Sequence, residues 1–304
     1  MNGAVETSRI PPLDLSSSTH PDQARTYNDG FDAFNVAWTR PFGDLAAYYY
    51  DLTTALPTSQ SQVPDSQSTY EQGETVSFAK DQIPTGTTYF NVVSVGPMAS
   101  FGTLETAFRV RVNAAPPTIS SSSHPSSSQW YEQPTAIFSW TDPLAADNFV
   151  AYYYRFDRYA DTIPTKSDAR LPVSDKQLMQ ANLPAGSIWY LHLVSEDTAG
   201  YLTRTASHFK IQVGPEPGKG GISGNIREQG STPPLMLDGV TVTLNRGLQS
   251  TASASGGQYF FSNTVYAGSY ELRATKSGYE PFVTQVSVTA GQNTSLNIEL
   301  VKSP

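Results

Sequence analysis

The chain has 304 residues, a formal net charge of −8, 15% charged residues and no cysteine. Without cysteine there is no disulfide framework, no thiol nucleophile and no Cys-based zinc site. Its 19 Lys and Arg are spread thinly, so neither nucleic acid nor an anionic membrane surface is an expected partner. The length suits two or three domains, and plentiful Ser, Thr, Gly and Pro point to strands and turns rather than helices.

Residues 1–14 read as an N-terminal extension. MNGAVETSRIPPLD lacks a basic segment followed by an apolar core, so it is not a signal peptide. No apolar run approaches the roughly 18–20 residues of a membrane span, and no membrane insertion by this segment is expected. Export and anchoring elements are expected to lie outside this chain.

From residue 15 onward the sequence repeats itself. LSSSTHP (15–21) returns as ISSSSHP (119–125), and WTRP (38–41) as WTDP (140–143). AYYY (47–50) returns as AYYY (151–154), and LPT (56–58) as IPT (163–165). IPTGTTYF (83–90) returns as LPAGSIWY (183–190), and FRVRV (108–112) as FKIQV (209–213). The order is kept and the offset stays between 100 and 107, which is the mark of a duplicated domain. Each copy alternates with period two. In TAIFSW, Ala136, Phe138 and Trp140 share one face; in FKIQV, Phe209, Ile211 and Val213 do. One apolar face at that period means half-buried strands, and many short strands in so short a unit predict a β-sandwich. The copies span 15–114 and 115–214 and meet at NAAPP (113–117), whose prolines stiffen the connection.

A Pro/Gly linker follows at 215–220. GPEPGKGG resembles a phosphate loop but is one residue short, and Gly220 stands where the hydroxyl residue belongs, so no nucleotide site is expected. A third unit, 221–304, carries strand patterns at 221–226, 239–244, 258–262, 269–275, 282–289 and 294–301. The fold class predicted is all-β: three consecutive β-sandwich domains in an extended arrangement.

The wording of the third unit carries a resemblance. Gly221 and Gly224 lie in the first strand, and Asp238-Gly239-Val240-Thr241-Val242 opens the second. Ser255-Gly256-Gly257-Gln258-Tyr259-Phe260, Ala267-Gly268-Ser269-Tyr270-Glu271-Leu272 and Ser277-Gly278-Tyr279 follow. This order resembles the carboxypeptidase regulatory-like family, a transthyretin-type sandwich. The resemblance implies an accessory module that does no chemistry itself. Each glycine is expected where a tight turn needs positive φ. The two repeats resemble fibronectin type III or immunoglobulin-like sandwiches of bacterial surface proteins. The SSSHP opening, the F-S-W strand, the A-Y-Y-Y strand and the D-T-A-G turn carry that resemblance. The first copy departs from it, with SVGPMASFGTLE (94–105) in place of SEDTAGYL (195–202).

No catalytic motif stands out: there is neither G-x-S-x-G nor H-E-x-x-H. His20 and His124 hold the same repeat position before proline; His192 and His208 fall in probable strands of one unit, where a pair on neighbouring strands is the alternative to the expected turn-associated or solvent-facing histidines. Glu196 and Asp197 fall in a turn signal, where Asp caps backbone amides. Asp142, Asp147, Asp157 and Asp161 are the candidate calcium ligands, without EF-hand spacing, and no cofactor is expected. In each tyrosine triplet, Tyr48 with Tyr50 and Tyr152 with Tyr154 share the apolar face. The middle residues, Tyr49 and Tyr153, should face outward and are the candidate contacts for a protein or a sugar. The functional expectation is a non-enzymatic spacer or adhesion region of an exported or cell-surface bacterial protein. Its rivals are a carbohydrate-binding accessory region of a secreted glycan-active enzyme and a filament subunit that lends its N-terminal residues to a neighbour's sheet edge.

Overall fold

The structure is a computed structural model that describes residues 14–40, 47–56, 64–65, 67–95, 107–144 and 147–304. The N-terminal extension proposed for strand exchange lies outside the described residues, apart from Asp14, as does most of SVGPMASFGTLE. Among the described residues every regular element is a strand, save one 3-10 turn at Lys80–Gln82.

The first unit contains β1 (Leu15–Ser17), β2 (Thr26–Asn28), β3 (Ala33–Trp38), β4 (Ala47–Thr53), β5 (Thr69–Glu71), β6 (Thr75–Ala79), β7 (Gly86–Val95) and β8 (Phe108–Asn113). They form two sheets, ordered β1-β3-β6 and β2-β8-β7-β4-β5. The second unit contains β9 (Thr118–Ser121), β10 (Trp130–Tyr131), β11 (Ala136–Thr141), β12 (Phe149–Asp157), β13 (Ala169–Pro172), β14 (Gln177–Gln180), β15 (Ser187–Asp197) and β16 (Ser207–Val213). Its sheets run β14-β11-β9 and β10-β16-β15-β12-β13, strand for strand the order of the first unit. In both, one short strand breaks the antiparallel pattern: β2 runs parallel to β8, and β10 to β16.

Alternation builds the cores. AFNVAW buries Phe34, Val36 and Trp38, and AIFSWT buries Ala136, Phe138 and Trp140. Each tryptophan meets the first tyrosine of its triplet edge-on, Trp38 with Tyr48 at 5.2 Å and Trp140 with Tyr152 at 5.5 Å between centroids. Burying one such side chain stabilises by about 1.5–3 kcal/mol, with an increment from the ring geometry.

The third unit contains β17 (Lys219–Glu228), β18 (Thr241–Leu244), β19 (Gln249–Ala252), β20 (Gln258–Tyr266), β21 (Gly268–Thr275), β22 (Phe282–Val288), β23 (Asn293–Ser295) and β24 (Ile298–Leu300). One sheet runs β20-β17-β23 with β24 also on β17; the other runs β19-β18-β21-β22. Ile222, Val242, Leu244, Tyr259, Leu272 and Ile298 fill the space between them.

Two details depart from the sequence reading. The stretch 294–301 is not one strand: Leu296 and Asn297 break it into β23 and β24, both parallel to β17. Gly221 and Gly224 are not turn glycines, since positive φ belongs to Gly239, Gly256, Gly257, Gly268 and Gly278. Gly224 is small because the segment between β23 and β24 crosses it: a Cβ there would lie 1.9 Å from the Leu296 carbonyl oxygen.

Candidate functional site at the joints between units

The two candidate tyrosines part ways. Tyr49 is half-buried on the outer face of the first unit's larger sheet, edge-on to Tyr70 at 5.8 Å; Tyr70 on edge strand β5 is 51% exposed. Tyr153 corrects the expectation. Its side chain does point to the outer face, but only 7% of it is exposed, because the segment after β15 folds back over that face. Leu202 and Ala206 cover Tyr153 together with Val194, and the Tyr153 hydroxyl reaches Glu196 at 3.5 Å. A sheet face read as solvated is a second, small apolar layer.

The same segment makes the joint between the first and second units. Asp197 caps its own turn, accepting from the Ala199 and Tyr201 amides, both at 2.9 Å. Its second oxygen accepts the Asn28 amide of the first unit at 2.8 Å. Burial pushes this carboxyl above the usual carboxylate range, and the three amide donors work against the shift. Asn28 returns the contact, its Nδ2 donating to the carbonyls of Ser195 and Tyr201, each at 2.9 Å. Arg204 donates to the Asp29 and Phe31 carbonyls. On the flank, Asp147 accepts from the Thr26 amide at 2.9 Å and from Arg111 at 3.0 Å.

Tyr201 crosses the joint bodily. Its ring lies 5.7 Å from His20 and 5.8 Å from Phe31, packed on the first unit's core, and its hydroxyl donates to the Thr19 carbonyl. Gly30 makes room, since a Cβ there would lie 2.0 Å from the Leu202 carbonyl oxygen. The connecting segment is tied down as well: Thr205 donates to the Ala114 carbonyl at 3.0 Å, and Ser207 to that of Pro117.

The repeated histidines are turn residues, as their position suggested, but both are fully buried. The serine three residues earlier accepts the histidine amide in each copy: Ser17 for His20 at 2.9 Å, Ser121 for His124 at 3.1 Å. Burial lowers the His20 pKa to about 4 and lowers that of His124 as well. His192 and His208 do pair across β15 and β16, with their Nδ1 atoms 2.6 Å apart; His192 Nε2 faces Asp157 at 3.2 Å.

The joint between the second and third units is more open. Tyr159, after β12, donates to Glu271 at 3.1 Å and lies under the Arg246 guanidinium, 4.1 Å from its ring. Arg246 also donates to Thr162 at 2.8 Å and pairs with Asp161 at 3.3 Å. Trp130 meets Tyr266 edge-on at 5.0 Å. Beside these contacts lies a cleft of about 320 Å³ lined by Arg158, Tyr159, Asn245, Ser269, Glu271 and Gln285. A wider trough of about 590 Å³ crosses the outer face of β1, β3 and β6, but its lining carries no charged side chain.

The four candidate calcium ligands serve separate partners. Asp142 accepts from Tyr152 at 2.6 Å and pairs with Lys176; Asp147 holds the first joint; Asp157 faces His192; Asp161 pairs with Arg246. Among the described residues no group of three or more His, Asp or Glu side chains is arranged to hold a metal ion.

Fold and joints together define a chain of tandem β-sandwiches locked side chain to side chain. Comparison with known proteins agrees for the last unit: residues 221–301 match the model of the carboxypeptidase regulatory-like domain family. Over 93% of this chain and 98% of the other, the protein is similar to the FN1–FN3 domains of chicken CNTN1, with 12% identity and a TM-score of 0.29. It is also similar to a two-domain fibronectin type III segment of chicken tenascin, over 66% of this chain and 99% of that one, with 14% identity and a TM-score of 0.30. No curated protein matches the sequence.

Proposed function

We propose that this chain is a non-enzymatic modular spacer or adhesion region that works at or outside the cell surface. The observation that supports this most is the first joint. Tyr201 of one sandwich completes the packing of another, and Asp197 and Asn28 exchange buried hydrogen bonds across the boundary. Flexible tethering needs no such interlock, whereas a spacer that fixes the distance and orientation of what it carries does. The regulatory-like unit fits the same role, as a module that accompanies other domains. No helix among the described residues is long and apolar enough to cross a membrane.

Small-angle scattering tests the reading. One fixed arrangement of the first two sandwiches should fit the curve at all protein concentrations. Scattering that demands a bending ensemble at that joint would overturn the spacer assignment. Protease treatment of intact producing cells checks the location: the chain should be stripped from them, and a protected intracellular pool would contradict a surface role.

A further inference from the structure

Arg158 stands at the second joint, among the residues that line its cleft. Its guanidinium stacks on Trp189, 4.2 Å from the ring, and Trp189 in turn stacks on Phe156 at 5.1 Å with nearly parallel planes. The neighbouring arginines are engaged: Arg155 with Asp157 and Asp168, Arg246 with Asp161. Arg158 makes no hydrogen bond or ion pair among the described residues. Burial pulls its pKa below the usual arginine value. An arginine stacked by one face keeps its in-plane N–H groups free as a fork that matches a carboxylate. Arg158 is half-buried and lines the cleft, where water or a ligand meets its remaining N–H groups.

Its surroundings narrow the class of ligand. Arg158 lines the 320 Å³ cleft with Asn245, Ser269, Glu271 and Gln285 opposite, on the third unit. Glu271 and Gln285 are paired across β21 and β22, so both stand on the same outer sheet face. Asn245 spends its Oδ1 on the Glu271 amide at 2.9 Å, which leaves its Nδ2 as a donor. Glu271 accepts the Tyr159 hydroxyl through one oxygen at 3.1 Å. Ser269 and Gln285 are exposed. The cleft therefore offers one free guanidinium, several neutral donors and one carboxylate acceptor. A dianionic phosphate or sulfate would meet Glu271 with only a single cation to offset it. A molecule with one carboxylate and several hydroxyls uses every group present. The volume sits at the lower end of ordinary ligand pockets, which suits a sugar ring.

We propose that the cleft between the second and third sandwiches binds a carboxylate-bearing saccharide, a uronic acid residue of an acidic glycan. The carboxylate takes the Arg158 fork, and ring hydroxyls meet Asn245, Ser269, Gln285 and Glu271. This site goes beyond the spacer role and does not depend on it, since a spacer without any ligand would still meet the scattering test.

The experiment is a titration of the full chain with trigalacturonate, its methyl ester and a glutamyl dipeptide, followed by Trp fluorescence and by the amide resonances of Ser269 and Gln285. Trigalacturonate should bind saturably and more weakly as salt rises. Arg158→Gln should weaken it at least about tenfold, the loss expected of a hydrogen bond to a charged group. Gln285→Ala, at an exposed position outside the core, should weaken it by a smaller factor with an unchanged melting temperature. No saturable change at millimolar sugar would overturn the proposal. So would equal binding of the methyl ester, tighter binding of the dipeptide, or parental affinity in both variants.

Discussion

Tyr201 belongs by sequence to the second sandwich and by packing to the first. Tyr201→Ala should destabilise the first two sandwiches by about 2–3 kcal/mol, as loss of an aromatic anchor at an interface does. Tyr201→Phe should cost only about 1 kcal/mol, because it removes one hydrogen bond to the Thr19 carbonyl and keeps the ring. Urea unfolding of the three proteins measures both. His20, under the same ring, gives a pH prediction. The fold holds it neutral, with its pKa lowered from 6.5 to about 4 by burial. The unfolded chain takes the proton first, so the stability from neutral His20 is intact above pH 6.5 and is lost as pH falls toward 4. The loss amounts to about 3 kcal/mol. Urea midpoints from pH 7.5 to 4 should show this slope, and His20→Gln should flatten it. An unchanged slope in that variant would assign the acid loss elsewhere. The sequence placed Tyr48 and Tyr152 in the core correctly, since period two reports which side chains share a face. It misplaced Tyr153 because period two cannot report what later folds over the other face; the cover, Leu202 and Ala206, comes from residues some fifty positions on.

At the scale of elements, the register of β17 rests on the absence of one methyl group. Gly224→Ala drives a Cβ against the Leu296 carbonyl, where β23 gives way to β24, and neither backbone can yield without losing its pairing with the other. The expected cost is about 3 kcal/mol or more, at the upper end for overpacking. Gly239→Ala is the control. It has positive φ (+68) but open surroundings, with only the flexible Lys276 ammonium near, so it should cost about 1–2 kcal/mol. Thermal unfolding should rank the two in that order, and the reverse ranking would show that turn strain outweighs strand approach here. Five of the six strand patterns of this unit were legible, from alternation or from an apolar run between turn signals. The stretch 294–301 alternates across its break as well, so the pattern hid the interruption; its cause, Asn297 Oδ1 accepting the Asn225 amide at 3.0 Å, is a contact some seventy residues away. Strand β19, QSTA, carries no apolar signal and exists by pairing with β18. The cleft was illegible for a related reason: Arg158 and Gln285 are joined only by how two sandwiches meet.

For the whole molecule, the two joints differ in what solvent can reach, and that difference sets how the chain should bend. The first joint is centred on groups removed from water: Asn28 is 0% exposed and Asp197 1%. At the second, the Arg246 and Asp161 side chains are 36% and 59% exposed. Screening acts on the second kind of contact, because the Debye length falls from about 10 Å at 0.1 M salt to about 3 Å at 1 M, while buried pairs scarcely respond. Salt should therefore loosen the second joint and spare the first. The chain has no cysteine, so introduced cysteines can carry fluorophores at chosen sites. A Thr75→Cys and Gln177→Cys pair spans the first joint, and a Gln177→Cys and Ser262→Cys pair spans the second, all at exposed positions. Between low salt and 1 M, the energy-transfer distribution of the second pair should broaden while that of the first stays narrow. Broadening of both would mean that the Asp197–Asn28 interlock does not hold in solution. Broadening of neither would mean that Trp130 and Tyr266, which salt does not touch, carry the second joint without help from Arg246.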